Sequence, residues 1–194
     1  METLFPINTK YPSGFSYLPD FINPSEENEL LKVISALELH NFIFQGYEAK
    51  RKVAGFGYDY SFDKRTLSRG KPIPVHFEPL IRKVSDHISV RKEDFAEFLI
   101  TEYPVGAVIN WHRDAPPFDL IVGISLQSDC TFRLRPRDKT KQDRSSIVSF
   151  PVKRRSLYIM QGSARTEWEH SISPVKTTRY SITLRTLRNP EKIR

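Results

Sequence analysis

From residue 95 to near the end of the chain, short runs rich in β-branched and aromatic residues follow one another, at 95–103, 120–126, 131–134, 146–150, 157–160 and 180–187. Clusters of Gly, Pro, Asp and Ser separate them. Runs of this length and spacing do not build a long helical bundle; they read as an all-β sandwich or barrel.

The first half of the chain reads differently. Residues 1–22 form an irregular lead-in. Asn23-Pro24-Ser25-Glu26 is a helix start, with Asn23 as cap, Pro24 suited to the first helical position and Glu26 completing a capping box. Leu30, Leu31, Ile34 and Leu37 give that helix one apolar face. Residues 42–62 carry strand-like runs. Phe77, Leu80, Ile81, Val84 and Ile88 then recur at helical spacing and predict a second amphipathic helix.

At 194 residues the chain fits one domain, 1–194, with a real core. We divide it into an N-terminal extension, 1–90, with two helices and strands, and a β core, 91–190. The sequence has no run of about 18 apolar residues, so no membrane partner is expected. The first 12 residues lack a basic-then-apolar signal pattern. The single cysteine, Cys130, cannot form an internal disulfide, which fits a reducing, cytoplasmic setting. The net charge of +7 and the pI near 9.5 favour a polyanionic partner, nucleic acid first among them.

Trp111-His112-Arg113-Asp114 is the first chemical signal. Residues two apart on a strand face the same way, so His112 and Asp114 can point together into a barrel. One more histidine from a neighbouring strand would complete two-His-one-carboxylate coordination, which leaves positions open on iron(II) for a co-substrate and dioxygen. His40 and His87 lie at or near helix ends and His76 in a helix start, where surface or packing roles suffice. His170 lies in the β-rich half, where a returning strand can bring it beside His112. In Arg179-Tyr180-Ser181-Ile182-Thr183-Leu184-Arg185, period two puts Arg179, Ser181, Thr183 and Arg185 on one face. If that face looks inward, two arginines need anionic partners, and a dicarboxylate would satisfy both. Each signal alone is common by chance; their order along the chain is what narrows the reading.

Taken together these segments resemble the AlkB family of 2-oxoglutarate- and iron(II)-dependent dioxygenases. Tyr103-Pro104-Val105-Gly106 followed by His112 and Asp114 is similar to the family's Tyr-x-x-Gly and His-x-Asp segment. Ser125-Leu126 before Phe132-Arg133 resembles the next strand pair. Gly162, Ala164, Arg165, Trp168 and His170 resemble the stretch carrying the second histidine, and Arg179 to Arg185 the closing strand. Gly57-Tyr58-Asp59-Tyr60 resembles the nucleotide-recognition lid. The resemblance runs from about residue 50 to 187.

The resemblance implies a mostly β fold with flanking helices around a double-stranded β-helix core, a jelly-roll relative. It implies Fe(2+) held by His112, Asp114 and His170, with 2-oxoglutarate as co-substrate and O2 as oxidant. Arg179 would pair with the distal carboxylate of 2-oxoglutarate, Arg185 would lie near its metal-chelating carboxylate, and Tyr103 and Ser181 would hydrogen-bond it. Tyr58, Tyr60 and Arg165 are the expected substrate contacts. The implied activity is oxidative dealkylation of N-alkylated bases in DNA or RNA, a DNA-repair reaction that releases formaldehyde, succinate and CO2. Thr101 stands where the family often has asparagine, and Pro116 where some members carry an acidic base-reading residue, so the base itself is not legible. A monomer is expected. Two other readings remain: a hydroxylase of a protein or small molecule on the same centre, and a non-enzymatic basic nucleic-acid-binding module. The basic clusters open to a nucleic-acid backbone are Lys50-Arg51-Lys52, Lys153-Arg154-Arg155, and Arg133, Arg135 and Arg137.

Overall fold

The computed structural model describes residues 11–44 and 46–189. In chain order the elements are β1 (Phe15–Leu18), α1 (Pro24–Ser35), β2 (His40–Phe44), β3 (Tyr47–Ser61), β4 (Thr66–Arg69), α2 (Glu78–Ile88), β5 (Phe95–Tyr103), β6 (Ile109–His112), β7 (Phe118–Leu126), β8 (Cys130–Pro136), β9 (Val148–Val152), β10 (Leu157–Met160), α3 (Gly162–Thr166), β11 (Trp168–Ile172) and β12 (Arg179–Leu187). The strands form two antiparallel sheets. The larger runs β1-β10-β7-β12-β5-β3-β2, with β4 added to β3; the smaller runs β6-β11-β8-β9. This is a jelly-roll double-stranded β-helix.

Register explains how the large sheet makes both a core and a site. Arg179 lies opposite Tyr103, Ser181 opposite Thr101, Thr183 opposite Leu99 and Arg185 opposite Glu97; on the next strand Val53, Gly55 and Gly57 extend the last three rows. Directly opposed residues share a face. One face of the sheet is therefore largely polar and looks towards the small sheet. The other carries Ile182 and Leu184 from β12, Phe98 and Ile100 from β5, and Val122 and Ile124 from β7. These pack with Leu30 and Ile34 of α1 and with Leu80, Ile81 and Val84 of α2 in one buried cluster. Phe98 is fully buried there, its ring centroid 4.6 Å from Phe77 and 6.4 Å from Phe56. Burial of such a ring contributes about 1.5–3 kcal/mol. A second cluster, including Phe15, Phe132, Phe150 and Met160, fills the space between the sheets.

α1 starts as its sequence predicts. The Asn23 side chain accepts from the Glu26 N–H, and Glu26 accepts from the Asn23 N–H. The helix is fixed to the sheet by a buried carboxylate. Glu27 accepts from the Gln127 N–H and from Arg154, with Arg155 close by. The Lys153-Arg154-Arg155 cluster, read as a backbone tracker, is thus engaged within the protein: Lys153 pairs with Asp129, and Arg154 and Arg155 with Glu27.

Several elements go beyond the sequence reading, among them β1, β4 and α3. The lead-in contains β1, whose Phe15 pairs with Met160 of β10 and buries its ring in the second cluster. Gly162–Thr166 forms a short helix directly before β11. A third point concerns β3, which pairs with β5 as far as Gly57 and then with β4. Gly57 sits at φ +82°, and a Cβ there would meet the Ala96 carbonyl oxygen at 2.2 Å. Only glycine fits this departure point.

Candidate functional site

β6 and β11 pair so that His112 and His170 lie directly opposite each other. Their ring centroids are 4.2 Å apart. His170 is further fixed by Phe132, whose ring stacks on it at 5.5 Å and 6°. The sequence reading put Asp114 on the same strand as His112, but β6 ends at His112 and Asp114 lies in the loop to β7. Asp114 still reaches the pair, with Oδ2 3.7 Å from His170 Nε2. What directs the loop is Arg165. This side chain is 4% exposed, and its Nη2 donates to the carbonyls of Asp114, Ala115 and Phe118. Arg165 was expected to contact substrate; its placement beneath the loop makes it a support for Asp114.

The chemistry of these groups suits a divalent cation. His112 Nδ1 lies 2.8 Å from the Asn110 carbonyl, which can only accept, so Nδ1 carries the proton and Nε2 keeps its lone pair. Burial lowers the pKa of His112, and burial together with neighbouring His112 lowers that of His170 to about 3. Both rings are therefore neutral at physiological pH, as ligands must be. Burial alone would raise the Asp114 carboxyl, but Arg185 beside it, then His170 and His112, hold it well below the usual carboxylate range. Asp114 Oδ2 is buried and has no hydrogen-bond partner. Among the described residues no three His, Cys, Asp or Glu side chains already close on one point; these three are adjacent rather than converged, and Asp114 is held by its other oxygen.

That other oxygen accepts from Arg185, Nε at 2.9 Å and Nη2 at 2.5 Å. Arg185 Nη1 also pairs with Glu97, directly opposite on β5. Burial pushes Glu97 up, while the two carboxylates outweigh burial and keep Arg185 charged. Arg179, at the other end of the inward face of β12, is 1% exposed. Its Nε donates to Ser125 Oγ at 3.0 Å, and its guanidinium lies 4.9 Å from the centre of the Tyr103 ring. Its Nη1 has no partner. A buried guanidinium without a carboxylate is costly, and an anionic ligand would relieve that cost. Ser181 Oγ donates to the Tyr103 hydroxyl at 3.4 Å, so the four residues expected around 2-oxoglutarate share one face.

Tyr58 and Tyr60 lie where β3 pairs with β4, outside the β5 ladder. Tyr60 is partly buried, packs against the cluster between the sheets and meets Phe62 edge-on at 5.1 Å. The sequence reading missed Glu97 and Tyr158. Glu97 is the buried acid of a mostly apolar strand, and nothing local announces its partner. Tyr158 lies opposite Gly123, where any Cβ would overlap its ring, and its charge-bearing neighbours include Arg179.

A double-stranded β-helix with two neutral histidines beside a carboxylate oxygen that lacks a partner, and a buried arginine that faces no carboxylate among the described residues, has the layout of a metal-dependent oxygenase. The chain matches the family model of the 2OG-Fe(II) oxygenase superfamily over residues 14–188 and belongs to that superfamily, as an AlkB-like member. It is accordingly a dioxygenase that uses iron(II), 2-oxoglutarate and dioxygen.

The mouse tRNA (carboxymethyluridine(34)-5-O)-methyltransferase ALKBH8 is 27% identical over 173 residues, covering 85% of this chain and 25% of that protein. An Arabidopsis thaliana protein named alkylated DNA repair protein ALKBH8 homolog is 26% identical over 210 residues, 91% of this chain and 59% of that one. The chain thus spans about a quarter of the first relative and three-fifths of the second. Among solved structures, OsALKBH1 superposes with a TM-score of 0.72 at 14% identity, over 91% of this chain and 98% of that one. A prolyl hydroxylase from Trichoplax adhaerens gives 0.65 at 17% identity, over 93% and 86%. At these identities the structural likeness concerns the fold.

Proposed function

We propose that the chain removes N-alkyl groups from bases in DNA or RNA, with iron(II) held by His112, Asp114 and His170. The observation that carries this reading is a pair of unmatched buried atoms on two walls of one site: Asp114 Oδ2, an acceptor without a cation, and Arg179 Nη1, a donor without an anion. A metal and a dicarboxylate together satisfy both. The nucleic-acid part rests on AlkB-like membership, on the net charge of +7, and on the names of relatives that refer to tRNA and to alkylated DNA.

In this reading the metal supplies the oxidising chemistry when bound with 2-oxoglutarate and dioxygen. The protein's own work is placement. Arg185 fixes Asp114 so that its second oxygen faces the histidines. Arg179 takes the distal carboxylate of 2-oxoglutarate, with Tyr103 and Ser181 beside it. The net change hydroxylates the methyl carbon, and the hydroxymethyl amine releases formaldehyde and the free base. A base in a duplex has first to leave the stack. Pro116, in place of an acidic reader, leaves the chemistry of the accepted base open to other residues of the wall.

The test is a panel of DNA and RNA oligonucleotides carrying N-methylated bases, incubated with protein, iron(II), 2-oxoglutarate and air. Mass spectrometry of the bases should show loss of one methyl group from at least one member. An unchanged panel, with succinate still formed from 2-oxoglutarate, would instead favour a protein or small-molecule hydroxylase on the same centre.

A further inference from the structure

We propose that Arg51 forms a second anion-binding point, at the mouth of the site, which takes an oxyanion carried by the primary substrate. This rests on the nucleic-acid reading above. Lys50, Arg51 and Lys52 look alike in sequence, but the sheet separates them. Lys52 pairs with Glu102 and Val53 with Thr101, and the same register one residue further sets Arg51 across from Tyr103. Tyr103 is on the inward face, opposite Arg179. Arg51 therefore faces inward, while Lys50 and Lys52 are exposed.

Its surroundings agree with that placement. The guanidinium lies 4.0 Å from the centre of the Phe42 ring and is half-buried. Burial lowers the pKa of Arg51, and Tyr103 and His112 lie within reach of its charge. Beyond it the inward positions of β3 are Val53 and Gly55, and a Cβ at Gly55 would meet only Leu99, at 3.8 Å.

The other inward arginines of the large sheet have their work assigned. Arg185 is held between two carboxylates, and Arg179 is the candidate for 2-oxoglutarate. Among the described residues Arg51 pairs with no Asp or Glu. A partly desolvated guanidinium held against an aromatic face keeps its fork of donors oriented, and that fork matches a phosphate or carboxylate. Two sources would present such a group next to His112: the phosphate of the target nucleotide, or a carboxylate on its base.

Three probes separate the sources: cytidine, cytidine 5′-monophosphate and 5-carboxycytidine, each competing with a labelled single-stranded oligonucleotide on the iron- and 2-oxoglutarate-loaded protein without oxygen. In the wild type at least one of the two anionic probes should bind about tenfold or more tighter than cytidine, as expected for a charge-assisted contact. Arg51→Gln should reduce that advantage to less than about threefold, Arg51→Lys should restore part of it, and Lys50→Gln should leave it unchanged. Succinate formation without primary substrate reports folding and co-substrate use, and its KM for 2-oxoglutarate should stay within about twofold in Arg51→Gln. The proposal is overturned if neither anion binds better than cytidine, if the advantage survives Arg51→Gln, or if Arg51→Gln acts on the KM for 2-oxoglutarate instead. Binding is read without turnover, so an anion advantage on a protein that demethylates nothing would overturn the dealkylation reading and not the anion point.

Discussion

Arg185 donates through Nε and Nη2 to a single oxygen of Asp114, and the second oxygen of that carboxylate is buried without a partner. The arrangement turns one face of Asp114 towards the histidines and also makes Arg185 the counter-charge for two acids, Asp114 and Glu97.

Arg185→Gln should therefore be far more damaging than Glu97→Gln. The first leaves two buried carboxylates unpaired and should cost about 3–5 kcal/mol. The second leaves Arg185 with Asp114 and should cost less. Urea unfolding of the metal-free protein measures both. Equal losses would mean that Arg185 does not hold the pair.

Arg179 carries a prediction of opposite sign. Its guanidinium is buried with Nη1 unsatisfied and faces no carboxylate among the described residues, a cost in the ligand-free protein, so Arg179→Met should leave the melting temperature unchanged or raise it. Saturating 2-oxoglutarate should raise the melting temperature of the wild type and have little effect on the variant. An equal ligand-induced rise in both would place the distal carboxylate elsewhere.

The histidine pair predicts acid sensitivity. His170 titrates near 3 when folded and near 6.5 when unfolded. Below 6.5 the unfolded chain binds a proton that the folded chain refuses, so this stability is present above 6.5 and declines as pH falls towards 3, by up to about 1.4 kcal/mol per unit. His112 shifts in the same direction. In metal-free protein the urea midpoint should fall steadily between about pH 6.5 and 5, and His170→Gln should flatten the slope. A wild-type slope retained in His170→Gln would show that His170 is not the group.

The two faces of the large sheet can be tested separately. Phe98 is fully buried on the helix side, away from the polar face. Phe98→Ala should cost about 3–5 kcal/mol of stability and leave succinate formation per folded molecule close to the wild type. A loss of turnover without a loss of stability would contradict the separation.

What could be read from the sequence follows from which signals are local. The cap of α1, the apolar stripes of both helices and the alternation in Arg179 to Arg185 are set within a few residues, and the structure has each of them. His112 and His170 were joined by assuming a returning strand, and β11 supplies it. Glu97 and Arg51 were not legible as site residues because their roles depend on cross-strand register. Glu97 matters only because β12 puts Arg185 opposite, and Arg51 differs from Lys50 only because the register of β3 on β5, continued one residue past Lys52 and Glu102, turns it towards Tyr103. Arg165 was read as a substrate contact for the same reason: the loop carbonyls it holds are about fifty residues away in sequence. Lys153-Arg154-Arg155 looked like a free basic patch, because Glu27 and Asp129 are distant in sequence and close only once α1 has docked.

The most direct test of the account is equilibrium binding of iron(II) without oxygen in the presence of 2-oxoglutarate, for wild type and Asp114→Ala. About one iron should bind per wild-type chain, with at least tenfold weaker binding once the carboxylate is gone. Asp114→Ala still binding one iron per chain with wild-type affinity would contradict it.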